Sequence, residues 1–371
     1  MQNNISFKGY DARPLKGIFT RDGGFGKSFY GLVTQAAEIL NKEGVDVFVQ
    51  TPKKILKNEF SDKKPNFANF WPWVQDRLVF LPEKIIESKK VVNEDVNLND
   101  VKAVFKCPIK ERRNHIQGGN YFFIKDGEKE IVLLGKDELK TISLKTIRKI
   151  FDKHEVLTVS QPDFHLDLSI RPLNSKRILV HDSKMLLSEL DRGIKNAKEI
   201  FLQDKDIKLG CVIKRLCHLK EEILENEKQY GISEKYEKLQ QELRQNNFDV
   251  INVPGLIVKT ANAKISKDDK SVFLKDVIYR MNFMNAIVHE RSNKSLVYIV
   301  GKSVIDEQLG LTSEIANRID FSFEKIFKKS LEGKIASEDI HFLGDNTISN
   351  ILKQNYGGLH CLFAEVPKYK G

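Results

Sequence analysis

A chain of 371 residues with ordinary apolar and charged fractions can bury a substantial core, which excludes a disordered chain, and its four cysteines are too few to scaffold a protein of this size. No apolar run approaches the roughly 20 residues that span a bilayer, and Met1-Gln2-Asn3-Asn4-Ile5 lacks the basic-then-apolar layout of a cleaved secretory signal. The expected address is therefore cytoplasmic, with export that needs no cleaved signal left open. The formal charge of +10 comes from lysines spread along the chain and interleaved with Glu and Asp, so it reads as a solvated surface and no nucleic-acid or membrane partner is expected.

The chain alternates strand-like and helix-like stretches, which predicts an α/β fold. Gly17 to Thr20 opens the first unit, and Leu32, Ala36, Ile39 and Leu40 follow at helical spacing. Gly44 ends that helix, and Val45-Asp46-Val47-Phe48-Val49 alternates at the strand period. Further strands are predicted at Arg77 to Leu81, Ala103 to Lys106, Tyr121 to Ile124, Ile131 to Leu134, Val156 to Val159 and Arg177 to Val180. Later strands are predicted at Phe248 to Val253, Asn285 to Val288, Leu296 to Ile299, Ile340 to Leu343 and Leu359 to Phe363. Helices fit Leu139 to Phe151, Val304 to Leu309 and Ile348 to Gln354. From about Ser183 to Gln245 the chain is rich in Glu, Lys and Leu, and Val212, Leu216, Leu219 and Ile223 form one apolar stripe. This reads as a helical insertion, residues 183–245, packed on the body of a single catalytic domain of residues 1–371. The stripe is short for a coiled-coil partner surface, though any protein contacts are placed on this insertion.

One motif misleads. Asp22-Gly23-Gly24-Phe25-Gly26-Lys27-Ser28 resembles a phosphate-cradling loop between strand and helix, but Arg21 stands where the signature needs its first glycine. A glycine-rich connecting turn is the better reading.

Four distant segments carry chemistry: Trp73-Val74-Gln75-Asp76, Gly118-Gly119-Asn120, His165-Leu166-Asp167 and Gly357-Gly358-Leu359-His360-Cys361. Cys361 is the candidate nucleophile, because two glycines can bend the chain to present its thiol and a nearby cation would favour the thiolate. His165 and Asp167, two apart, would share one face of a strand, with Phe164, Leu166 and Leu168 toward the core. Asp76 lies in a bulky apolar run, where an unpaired carboxylate would cost several kcal/mol. It therefore either faces solvent or awaits a cation that Trp73 could cover. Asn120 could bond a ligand or cap a turn. Two carboxylates, an imidazole and a thiol suit attack on a planar cation such as a guanidinium.

Together these segments resemble the guanidine-modifying, or pentein, superfamily, closest to the catalytic domain of peptidylarginine deiminases. Trp73-x-Gln75-Asp76 matches that family's Trp-x-Gln-Asp; agmatine deiminases usually carry Arg at the position of Gln75. His165-x-Asp167 and His360-Cys361 match further elements, although the double glycine Gly357-Gly358 is closer to agmatine deiminase. Asp249 to Pro254 and Asn282 to Asn285 resemble core stretches, and the similarity runs from about residue 70 to the end. The resemblance implies a five-fold propeller of ββαβ units. It implies that Asp76 and Asp167 grip the guanidinium, Cys361 attacks it and His165 moves protons, so that arginine residues of peptides or proteins become citrulline. Trp73, Gln75, Gly119, Asn120, Gly358 and His360 would line the substrate site. Vertebrate members carry acidic calcium ligands one and three positions after the first catalytic Asp; here stand Arg77 and Val79, so no cofactor is expected. A deiminase of agmatine or free arginine, an amidinotransferase and a non-catalytic guanidine-binding protein are the alternatives.

Overall fold

Five sheets of this chain share one plan, an antiparallel pair of strands joined after a helix by a third strand in parallel. Leu256–Ile257 with Arg280–Met281 and Ala263–Ile265 with Val272–Leu274 are pairs alone among the described residues. The computed structural model describes residues 15–22, 27–60, 73–81, 83–88, 98–112, 116–126, 129–257, 263–265, 272–274, 280–345, 347–349, 352 and 358–367. Leu78–Leu81 runs antiparallel to Lys84–Ser88, which takes Ile109–Arg112 in parallel. The same plan recurs for Tyr121–Asp126, Lys129–Gly135 and Glu155–Val159. It recurs again for Ile170–Pro172, Arg177–Asp182 and Asp249–Pro254, and for Ile287–Glu290, Leu296–Gly301 and Ile340–Leu343. The last sheet joins the two ends of the described chain: Ala364–Pro367 lies antiparallel to Leu15–Arg21, which pairs in parallel with Asp46–Gln50. A parallel return needs a long connection, and helices supply it: Lys27–Leu40, Leu98–Phe105 and Leu144–Ile150 each sit in such a crossover.

The Lys- and Glu-rich stretch is the crossover of the fourth of these sheets in chain order, built as three helices, Ser183–Asp204, Ile207–Tyr230 and Ile232–Gln245. Asp182 accepts from Met185 N and Asp206 from Lys208 N, which satisfies amides that helix starts otherwise leave bare. The stripe of Val212, Leu216, Leu219 and Ile223 is at most 2% exposed. It belongs to the same apolar cluster as Phe122, Ile178 and Tyr298 from three different sheets. The feature that suggested a partner surface is therefore interior packing.

Several short elements differ from expectation. Ala103 to Lys106 is not a strand but the end of the helix Leu98–Phe105, whose buried Val101 and Phe105 are four apart. Arg77 closes a helical turn, Val74–Arg77, before the strand Leu78–Leu81. Leu359–Leu362 is likewise a turn of helix, and the strand begins only at Ala364. The helix expected over Leu139 to Phe151 is split, because Ser143 caps a new start by accepting from Thr146 N. Gly23 to Gly26, Gly357 and part of Ile348 to Gln354 lie outside the described residues.

Candidate active site

The turn Leu359–Leu362 presents Cys361, which is only 7% exposed. Asn285 cradles it from both sides of one amide. Its Oδ1 accepts from Cys361 N at 3.2 Å, and its Nδ2 donates to Cys361 Sγ at 3.1 Å and to Asp167 Oδ2 at 2.7 Å. A Cβ on Gly358 would lie 2.5 Å from Asn285 Oδ1, so the chain can pass here only as glycine. Gln75 fastens the same turn from the other side: its Nε2 donates to His360 O at 3.1 Å and Phe363 O at 2.7 Å and faces His360 Nε2 at 3.2 Å.

Asp167 sets the His360 tautomer. Its Oδ2 accepts at 2.9 Å from His360 Nδ1, so the ring proton sits on Nδ1 and Nε2 is the bare nitrogen that faces Gln75 Nε2. His360 is fully buried and stacks on Phe122 at a centroid distance of 5.4 Å. Burial, then the charges of Arg171 and His165, hold its imidazole well below the usual range, so it is neutral. Arg171, also fully buried, lies 5.1 Å from the Phe122 centroid.

Asp167 is the hub. Its Oδ2 accepts from Asn285, His360 and, at 3.2 Å, the Cys361 thiol. Its buried Oδ1 has no hydrogen-bond partner among the described residues. Gly119 explains the space beside that oxygen: a Cβ there would meet His165 Nδ1 at 2.5 Å and Asp167 Oδ1 at 2.9 Å. A buried carboxylate oxygen left without a donor is costly, and a cationic hydrogen-bond donor is what relieves it. Burial lifts the Asp167 carboxyl to about 7 against the pull of the Cys361 bond and the Arg171 charge, and Asp76 adds to the rise. Burial and then Asp167 push the Cys361 thiol well up, consistent with a protonated sulfur donating to the carboxylate.

His165 is extended and half-buried, and Asp167 sits in the tight turn Leu166–Leu168. The two are therefore not on one strand face as expected. Phe164, expected in the core, is 40% exposed, with its ring 4.5 Å from that of His165. A donor atom from each of His165, Asp167 and Cys361 nevertheless lies within 4.8 Å of the others. This set could also hold a thiophilic divalent ion such as zinc.

Asp76 ends up half-buried, its Oδ1 accepting from Gly118 N at 2.7 Å. Asn120 uses its side chain on the protein: Oδ1 accepts from Leu166 N at 3.0 Å, and Nδ2 donates to Glu138 Oε1 at 2.8 Å. Trp73 is half-buried and packs against the cluster that holds Leu359 and Leu362. The expected residues are thus brought to one place, with Gln75, His360 and Asn120 engaged in protein contacts. Three further residues of the site carry weak sequence signals. Asn285 lies in a stretch flagged only as core-like, Arg171 is the one cation in Leu168-Ser169-Ile170-Arg171-Pro172-Leu173, and Glu138 leaves no motif.

The chain aligns with a crystal structure provisionally described as a peptidyl-arginine deiminase, over 97% of this chain and 98% of that one, at TM-score 0.50 and 14% identity. It aligns with a provisionally assigned arginine deiminase from Porphyromonas gingivalis over 96% of each chain, at TM-score 0.50 and 13% identity. An agmatine deiminase from C. jejuni aligns over 97% of this chain and 95% of that one, at TM-score 0.48 and 14% identity. No protein-family model and no curated protein matches the sequence. At such identities the likeness is one of fold alone: the chain shares the mixed α/β fold of these solved structures. Among the described residues no helix is long and apolar enough to cross a membrane.

Proposed function

We propose that this protein is a guanidine hydrolase, a deiminase that replaces one guanidine nitrogen by oxygen. The observation that carries the reading is Asp167 Oδ1, a buried acceptor with no partner among the described residues, set beside a thiol and an imidazole. Asp76 and Asp167 hold the guanidinium by charge-assisted hydrogen bonds. As Cys361 Sγ attacks the central carbon, its proton passes to His165. The carbon–nitrogen bond breaks, and His165 returns the proton to the departing ammonia. His165 then takes a proton from water, whose oxygen attacks the same carbon. The carbon–sulfur bond breaks, leaving a ureido product and a free thiol. Arrival of a cation beside Asp167 offsets the burial that keeps the sulfur protonated, so substrate itself promotes the thiolate.

No cofactor belongs to this reading. Arg77, next to Asp76, is buried and ion-paired with Glu87 at 3.0 Å, which places a fixed cation where calcium-dependent relatives carry an acid. We read the five sheets of three or four strands as blades of a propeller around the site. For substrate, arginine residues of peptides or proteins are the first reading, supported by Trp73-x-Gln75-Asp76. A small guanidine is the second, favoured by the double glycine Gly357-Gly358 before His360-Cys361. The test is to incubate reduced protein with an amide-capped arginine peptide, agmatine and free arginine. Ammonia and ureido product are expected from at least one, with the peptide fastest. Agmatine or arginine turning over faster would select the second reading, and product from none would overturn the proposal.

A further inference from the structure

The segment that carries His165 and Asp167 is held at both ends by one helix. Upstream, the strand Glu155–Val159 gives way to Ser160. Glu242, in the last turn of the helix Ile232–Gln245, accepts Ser160 N through Oε2 at 2.5 Å and Ser160 Oγ through Oε1 at 2.8 Å. The same carboxylate takes Lys136 Nζ at 2.7 Å, from the residue after the strand Lys129–Gly135. Downstream, buried Tyr236 of that helix donates its hydroxyl to Ser169 Oγ at 3.4 Å.

Between these anchors the loop is stiffened from within. Gln161 Nε2 donates to Phe164 O at 2.6 Å, and Asp163 Oδ1 accepts from Phe164 N at 2.9 Å. Gln161 also rests against Gly135, where a Cβ would collide with its side-chain oxygen. The Phe164 ring then lies on His165. A charged acceptor on a backbone N–H is a strong and directional bond, and both oxygens of Glu242 are committed.

We propose that the helix Ile232–Gln245 is a strut for the His165 loop, with Glu242 as the positioning residue that sets the imidazole against Cys361. This rests on the deiminase reading for its kinetic consequences but not for its geometry. Glu242 touches no reacting atom; it acts through Ser160 and the loop beyond it.

The experiment uses the full chain in three forms: wild type, Glu242→Gln and Glu242→Ala. Gln keeps one acceptor oxygen and the shape, so it keeps the fold even if Ala does not. The effects are expected to be graded. kcat should fall roughly ten-fold for Gln and roughly a hundred-fold for Ala, the scale that misplaced catalytic groups produce. KM should stay within about two-fold and the pH profile of kcat should move, because orientation and not substrate binding is lost. Glu237→Gln on the same helix, whose partner is the exposed Lys184, should behave as wild type. The His165 ring resonance, assigned with His165→Ala, should shift and titrate differently in Glu242→Gln whether or not the protein turns over any guanidine. Absence of ammonia from wild type would therefore count against the deiminase reading alone. An unchanged His165 resonance and titration in Glu242→Gln would overturn the strut. So would a kcat loss that matches the loss of folded protein and leaves the pH profile in place.

Discussion

Gly119 is the position where one added carbon is expected to do most damage. Its missing Cβ is the space between His165 Nδ1 and Asp167 Oδ1. Gly119→Ala should lower ammonia release by roughly 100-fold, the cost of about 1 Å of misplacement among reacting groups. Its thermal stability should fall only by what overpacking one buried site costs, about 1–3 kcal/mol, and an active Gly119→Ala enzyme would show that the gap is not the guanidinium site. Asp167 sets the pH response. With its carboxyl at about 7, it is increasingly protonated below that pH and grips a cation less well, so KM should rise as pH falls. For stability the sign is opposite. The folded value lies above the ordinary 3.8, so between the two the native state keeps a proton that the unfolded chain has released. The stabilising contribution is complete below about 3.8 and is lost as pH rises through about 7. Asp167→Asn should lose this decline, as thermal melts across that window would show. Equal pH slopes for variant and wild type would contradict it.

At the scale of elements, what the sequence announces and what it conceals follow from length. The strand Asp46–Gln50 and the helix Lys27–Leu40 repeat their periods often enough to be read directly. The turns that carry the candidate site are too short to show a period: Val74–Arg77, Leu166–Leu168 and Leu359–Leu362 are three or four residues each. Their conformation is set by partners far along the chain, such as Asn285 for Cys361 and Asn120 for Leu166. Gln75 shows how one side chain fixes such a turn. Gln75→Leu keeps the bulk but removes the donor to two buried carbonyls, His360 O and Phe363 O. Losing a donor to buried acceptors costs about 1–3 kcal/mol, so denaturant unfolding should report a loss of that order. A variant as stable as wild type would mean that the turn is held by packing alone.

Across the whole molecule, a basic chain encloses an acidic centre. The net charge of +10 belongs to the surface, while Asp76, Asp167 and Glu138 gather inside, close enough for Asp76 to raise the carboxyls of the other two. Mean composition could not reveal that centre; a carboxylate in an apolar run at Asp76, and acids, imidazole and thiol in four distant motifs, did. The three-helix crossover was legible as helices because its stripe keeps helical spacing. Its packing on the body of the chain was read from the shortness of that stripe for a coiled-coil partner, and the burial of Val212, Leu216, Leu219 and Ile223 agrees. The most direct test of the central claim is intact-mass measurement of protein quenched with acid during turnover of an arginine peptide, agmatine or arginine. The expected result is an adduct that maps to Cys361 and vanishes in Cys361→Ala, together with ureido product and ammonia from wild type alone. Product formed by folded Cys361→Ala, or neither adduct nor product from folded, reduced wild type, would contradict it.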